Sequence, residues 1–351
     1  MRVSHWLLGG ILVCAVVPAR AKEKTWVQVR STHFTVVTDL GEKRGIEVAR
    51  HCERMRAAFR LLMKQARTDD PVPLLIWALD GQKEVDDVLG SSKAKHTGLF
   101  LAGEDRNFIL VDASGDPRRA VYHEYMHALL NANISSAVPT WFEEGFAEYF
   151  STLQINAKAT TLGLVPIGEL RFLRENGKLL RLADLFAVRQ DSNLYNQDGP
   201  LQAMFYAESW LLVHYIFDHQ LISRAEPLFS RVARGQPLSS AFQAEFGVSA
   251  ARLEDELLEY AKGEGFRYFS LPAVELRDEI AVEPLSHITM QALRFDLQWH
   301  TSTQHSKEEV AAYAEEMRSL LEQEPNNPTV LQQLASFPAG QEADRISSAK
   351  K

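Results

Sequence analysis

The sequence predicts an α+β protein. A small mixed sheet comes first, a helical part follows, and a short all-α segment closes the chain. Three observations predict this. From Trp26 to Asp112, short apolar runs alternate with amphipathic stretches, the pattern of a sheet with helices packed against it. After Asp112 the periodicity is mostly helical. Beyond Gly263 the composition shifts to helical patterns broken by Glu324-Pro325-Asn326-Asn327-Pro328.

The elements follow in order. Residues 1–21 read as a secretory signal. Arg2 supplies the positive start, Leu7 to Val17 the apolar stretch, and Ala19 and Ala21 the small residues a signal peptidase reads. That apolar run is too short to cross ~30 Å of hydrocarbon comfortably. The expectation is therefore an exported protein, periplasmic or secreted. Trp26–Arg30 and His33–Thr38 read as strands, Glu42–Ala66 as an amphipathic helix, and Val72–Leu79 as a buried strand. A short helix near Gln82–Leu89 precedes a hairpin, Gly98–Ala102 and Asn107–Asp112, turning through Gly103-Glu104-Asp105. These make up residues 22–115.

Residues 116–265 form the helical part. Asp116-Pro117 opens a helix that runs to about Asn131, with the acid as cap and proline in the first turn. A second helix begins near Trp141, and a third runs from Pro200 to about Asp218. Arg224–Arg234 and Ala250–Lys262 are two more, and the polar stretch Gln190–Pro200 reads as a loop. In residues 280–336, Pro284–His300 and Ser306–Gln323 are helical patterns, and a third helix starts after the proline–asparagine turn. They resemble a fragment of tetratricopeptide repeats, the alternative being a helical hairpin packed on the preceding domain. Residues 337–351 read as a disordered tail.

With 46% hydrophobic, 24% charged and 9% aromatic residues, the composition excludes a disordered, collagenous or disulfide-scaffold chain. The net charge of −8 excludes a whole-chain electrostatic match to nucleic acid. Signal cleavage removes Arg2 and Arg20 but no acid, so it leaves the chain more acidic still. No later run reaches the ~18 apolar residues of a spanning helix, so no membrane span is expected after cleavage. Cleavage also removes Cys14 and leaves Cys52 alone, without a partner for an internal disulfide. Cys52 shares a predicted helix face with Val48, Met55, Phe59 and Leu62, which marks it as a buried, inert thiol.

The chemistry concentrates in Val121-Tyr122-His123-Glu124-Tyr125-Met126-His127. On a helix, His123 and His127 lie one turn apart on one side. That spacing suits two nitrogen ligands of one Zn²⁺, and Glu124 beside them can take a proton from water. A catalytic zinc needs a third protein ligand. Downstream, Thr140-Trp141-Phe142-Glu143-Glu144-Gly145-Phe146-Ala147-Glu148 offers three carboxylates. Thr140 and Glu143 have capping-box spacing, which gives Glu143 a structural task. Glu144 and Glu148 share a face. Glu144 is the expected ligand, since Gly145 and Ala147 let its helix pack closely on the first. Glu148 is then the carboxylate that accepts from the remote ring nitrogen of a ligand histidine.

With these residues the chain resembles the gluzincin zinc metallopeptidases. The tryptophan two residues before the glutamate pair and the glycine after it fall on Trp141 and Gly145, with Phe142 in place of an aliphatic residue. The aminopeptidase motif Gly-x-Met-Glu-Asn is missing. Closer still are exported, peptidase-MA-like bacterial proteins. Ser31–Asp39 resembles their opening strand, Phe205–Tyr215 a helix beyond the zinc site, and appended tetratricopeptide-like helices are common among them. The resemblance spans about Trp26 to Lys262 and implies a zinc peptidase domain. It gives Tyr206 two readings, a hydroxyl near a developing oxyanion or a tyrosine packed in a helix face. It also suggests Gly98–Ala102 as the edge along which a peptide adds as a strand. His214, eight residues after Tyr206, reads as a core histidine.

Two functions follow as expectations. The first is an exported zinc peptidase acting on peptide or protein substrates. One Zn²⁺ is held by His123, His127 and Glu144, Glu124 is the general base, and Tyr206 aids the oxyanion. The second is a cell-envelope interaction protein whose zinc site is vestigial or structural, with a protein partner on its C-terminal helices. An intact Glu124 and the lack of nearby cysteine favour the first.

Overall fold

The near-continuous apolar runs Thr35–Thr38, Leu74–Leu79 and Asn107–Asp112 are the central strands of one mixed sheet, the composition required of strands covered on both faces. The computed structural model describes residues 25–336 except 70–71, 91–97, 104, 135–137, 157, 197–198, 275–278 and 303–304. The expected signal (1–21), the expected tail (337–351) and Glu104 of the expected turn lie outside the described residues.

In chain order come β1 (Val27–Arg30), β2 (Thr35–Thr38), α1 (Glu42–Leu62), β3 (Leu74–Leu79), α2 (Gln82–Leu89), β4 (Gly98–Leu101) and β5 (Asn107–Asp112). Then follow α3 (Arg118–Asn133), α4 (Thr140–Ser151), β6 (Gln154–Ile155), β7 (Ala159–Leu162), α5 (Ile167–Asn176), α6 (Leu182–Ala187), α7 (Asn193–Asn196) and α8 (Pro200–Asp218). After them are α9 (Ala225–Ala233), α10 (Leu238–Phe246), α11 (Ala250–Lys262), β8 (Phe269–Pro272), β9 (Ala281–Pro284), α12 (His287–His300), α13 (Lys307–Gln323) and α14 (Pro328–Ser336). The class is α+β, as the sequence predicts.

The main sheet has the order β4-β5-β3-β2-β1-β9. Strands β2, β3 and β5 run parallel, with Val36 opposite Ile76 and Ile76 opposite Ile109; β4 pairs antiparallel with β5 at one edge. On one face, Val36, Ile76 and Ile109 pack with Val48, Cys52 and Met55 of α1 and Val121 and Met126 of α3. Cys52 is fully buried, and burial raises its thiol above its ordinary value, so it stays protonated and inert. On the other face, Trp77, Leu79 and Phe108 pack with Val85 and Val88 of α2 and Leu293 and Leu297 of α12.

The C-terminal stretch thus enters the N-terminal sheet. It opens not as helix but as β9, whose Val282 stands opposite Val29 of β1. The helix expected from Pro284 begins at His287, behind Ser286, which caps it by accepting from the Thr289 amide. A four-residue strand ending in proline carries no readable period, and its pairing partner lies some 250 residues earlier. The same brevity hid the second sheet, β6-β7-β8. Beyond α12, Tyr313, Met317, Leu320 and Val330 close a small core with Ala292.

Helix α4 lies between α3 and α8. A Cβ on Gly145 would stand 2.2 Å from the Ser209 carbonyl oxygen and 2.8 Å from Val213 Cγ2. The glycine therefore brings α4 against α8, not against α3 as the sequence suggests. His214 is a core histidine on α8, fully buried, its Nε2 donating to the Gly163 carbonyl at 2.9 Å.

Candidate metal centre

Helix α3 follows β5 through a short connection in which Asp116 Oδ1 accepts from the Arg118 amide at 3.0 Å. Its inner face carries His123 and His127 one turn apart, and their Nε2 atoms lie 3.1 Å from each other. From α4, Glu144 Oε2 stands 3.3 Å from His123 Nε2 and 3.6 Å from His127 Nε2. Two ligands at the ~2.0–2.1 Å of zinc–nitrogen bonds lie about 3.3 Å apart in a tetrahedron. The three edges match that spacing. Glu144 is 1% exposed, and Oε2 has no hydrogen-bond partner. A buried, orphaned carboxylate oxygen facing two imidazole nitrogens is a donor set that fits a divalent cation. Among the described residues, this is the group of histidine, cysteine and acid side chains placed to hold a metal.

Each histidine is oriented from behind. His123 Nδ1 meets Glu148 Oε1 at 3.3 Å, and His127 Nδ1 meets Glu143 Oε1 at 3.3 Å. A carboxylate on Nδ1 fixes the proton there and leaves Nε2 as the lone-pair donor. Glu148 is held in turn by Arg119 Nη2 at 2.8 Å, which also reaches Glu169 at 2.7 Å. The placement of Glu148 agrees with the sequence reading. That of Glu143 corrects it, since α4 starts at Thr140 behind an extended Pro139 with no side-chain cap. Glu143 is then one residue too deep to close a capping box, and it supports His127 instead.

Electrostatics mark a cage built for positive charge. Burial alone would lower His123, yet its contacts with Glu144 and Glu148 carry it well above its ordinary value. Burial opposes ionisation of Glu144, but His127, His123 and the Tyr195 hydroxyl hold it down at about 2. Glu124 differs. Burial raises it above the ordinary carboxylate value, and the two imidazoles offset this only in part.

Glu124 faces β4. A Cβ on Gly98 would fall 2.6 Å from Glu124 Cγ and Oε1, so any larger residue at this strand position would displace the carboxylate. A cavity of ≈ 870 Å³ opens here, walled by Gly98, Leu99 and Phe100 on one side and by α3 and α4 on the other. Tyr206, on the first half of α8, lines the same cavity as the histidines.

Two contributors escaped sequence reasoning. Tyr195 of α7 donates to Glu144 Oε1 at 2.6 Å, and Gln190 Nε2 donates to Glu143 Oε2 at 3.1 Å. Both come from the stretch read as a polar loop. A tyrosine within that turn-rich stretch was the available signal, but nothing local tied it to a glutamate 51 residues earlier.

Residues 119–238 match the sequence model of a family described as protein of unknown function (DUF1570). The match takes in both histidines, Glu124, the α4 carboxylates, Tyr195 and Tyr206, and leaves out the main sheet with Gly98. No curated protein matches the chain.

Proposed function

We propose that the protein is a zinc-dependent peptidase of the gluzincin type, exported by the segment 1–21. The observation that carries this is the triangle of His123 Nε2, His127 Nε2 and the orphaned Glu144 Oε2, with a buried fourth side chain, Glu124, beside it. A structural site needs no such base, and it usually takes four protein ligands rich in sulfur. When bound there, zinc supplies Lewis acidity to a water and to a substrate carbonyl.

The chain's own residues do the rest. Glu124, raised by burial toward the working pH, takes a proton from the attacking water and returns it to the leaving amine. Tyr206 donates its hydroxyl to the oxyanion that develops on the carbonyl. Among the described residues, strand β4 is the last strand of its sheet, and it walls the cavity, so its outer edge is where an extended peptide can pair. Among the described residues, no helix is long and apolar enough to cross a membrane.

The test is zinc content measured together with cleavage of a casein-type substrate, before and after chelation. The expected result is about one zinc per chain and cleavage that chelator abolishes and zinc restores. Bound zinc with no chelator-sensitive cleavage would overturn the reading in favour of an interaction protein.

A further inference from the structure

Glu144 has two oxygens and the structure treats them differently. Oε1 accepts the Tyr195 hydroxyl at 2.6 Å, while Oε2 is buried without a partner between the two histidine nitrogens. An ionised carboxylate only accepts, so Tyr195 is the donor. The Tyr195 and Tyr206 hydroxyls are also in hydrogen-bond contact. With its one proton committed to Glu144, Tyr195 can only accept from Tyr206, whose hydroxyl turns from it to the oxyanion when substrate is bound.

Tyr195 is itself held in place. Gln202 Nε2 of α8 donates to its carbonyl at 2.7 Å, and its ring lies edge-on to Phe205, with centroids 6.1 Å apart. The same segment supplies Gln190 to Glu143, the carboxylate behind His127. One short stretch therefore braces two of the three would-be ligands from outside the α3–α4 pair.

We propose that Tyr195 is a positioning residue that restricts Glu144 to coordination through a single oxygen, keeping one metal position open for water and substrate. This rests on the zinc reading above. Without the Tyr195 hydroxyl, Oε1 is a buried acceptor with no partner, and the group nearest to satisfy it is the cation itself. Glu144 then turns to bind through both oxygens, which raises the coordination number to five and crowds the position the reaction needs.

The experiment is Tyr195→Phe against Tyr206→Phe, each assayed for zinc affinity by competition with a chromophoric chelator. The visible spectrum of each cobalt-substituted protein reports coordination number. Tyr195→Phe is expected to lose about 10–100-fold in zinc affinity, as removal of groups that orient metal ligands does. Its cobalt spectrum is expected to change from a four-coordinate to a weaker, five-coordinate form. Tyr206→Phe is expected to keep both the affinity and the spectrum of the unmodified protein. An unchanged spectrum in Tyr195→Phe overturns the proposal, even where hydrolysis is lost, because Tyr195 would then act on substrate. If the unmodified protein takes up neither zinc nor cobalt, the zinc reading itself fails, an outcome distinct from the others.

Discussion

Replacing Gly98 by alanine tests the placement of Glu124. The added methyl would lie 2.6 Å from Glu124 Cγ and Oε1 and 2.9 Å from Cδ, where ordinary contact starts at 3.4 Å. Relief requires the carboxylate to move by about 0.8 Å. A misplacement of about 1 Å at a reacting group costs roughly 10²-fold, or about 2.7 kcal/mol in the barrier. Gly98 is not among the glycines with positive φ, so alanine fits its backbone without strain. Restricting the unfolded chain offsets part of what the overlap with Glu124 costs, so folding stability should change little. The assay is steady-state cleavage of a fluorogenic peptide, with zinc content and thermal midpoint measured on the same preparation. The expected outcome is a fall of about 10²-fold, carried by kcat, with full zinc content and a nearly unchanged midpoint. Turnover within about threefold of the unmodified protein would show that Glu124 does not need the space that Gly98 leaves.

Gly145→Ala should lower stability by about 1–3 kcal/mol, because its Cβ meets backbone, the Ser209 carbonyl, at 2.2 Å. An unchanged thermal midpoint would show that α4 and α8 separate without strain. Glu208 on α8 is fully buried, its Oε2 accepts from the Leu180 amide at 2.7 Å, and Oε1 is unpartnered. Burial raises it from 4.5 to about 8, with Glu254 adding and the Leu180 amide opposing. Between these values the folded state holds a proton that the unfolded state has released, so stability falls as pH rises. Glu208→Gln removes that slope. Relative to the parent it should gain stability from pH 5 to pH 8, by at most about 1.4 kcal/mol per pH unit in urea unfolding. An equal gap at both pH values contradicts this.

Much of the candidate centre was legible because it is local. A helix places His123 and His127 on one side from their spacing alone, and the Trp-x-x-Glu-Gly run points to Glu144. The spacing of Glu144 and Glu148 likewise anticipated the carboxylate behind His123. Residues whose task depends on distant chain were not legible. Gly98 matters through Glu124, 26 residues on; Tyr195 matters through Glu144; and β9 exists only because β1 awaits it. Glu143 shows how a local rule misleads. Capping-box spacing was present, but the helix starts one residue early for it, at Thr140 behind Pro139, and the side chain turned to His127. The long helices α1, α3 and α8 read well because each runs sixteen residues or more, too long for a buried strand, between clear start and stop residues. Helix α6, strand β6 and strand β8 are too short to show a period at all.

The central claim is that Glu124 is the base of a zinc peptidase assembled on His123, His127 and Glu144. Glu124→Gln is nearly isosteric, keeps the contact with β4 and leaves the three ligand atoms in place. Cleavage of a quenched peptide library by this variant, normalised to its zinc content, tests the claim most directly. Full zinc content with cleavage reduced by at least about 10²–10⁴-fold is expected. Undiminished cleavage at equal zinc would contradict it.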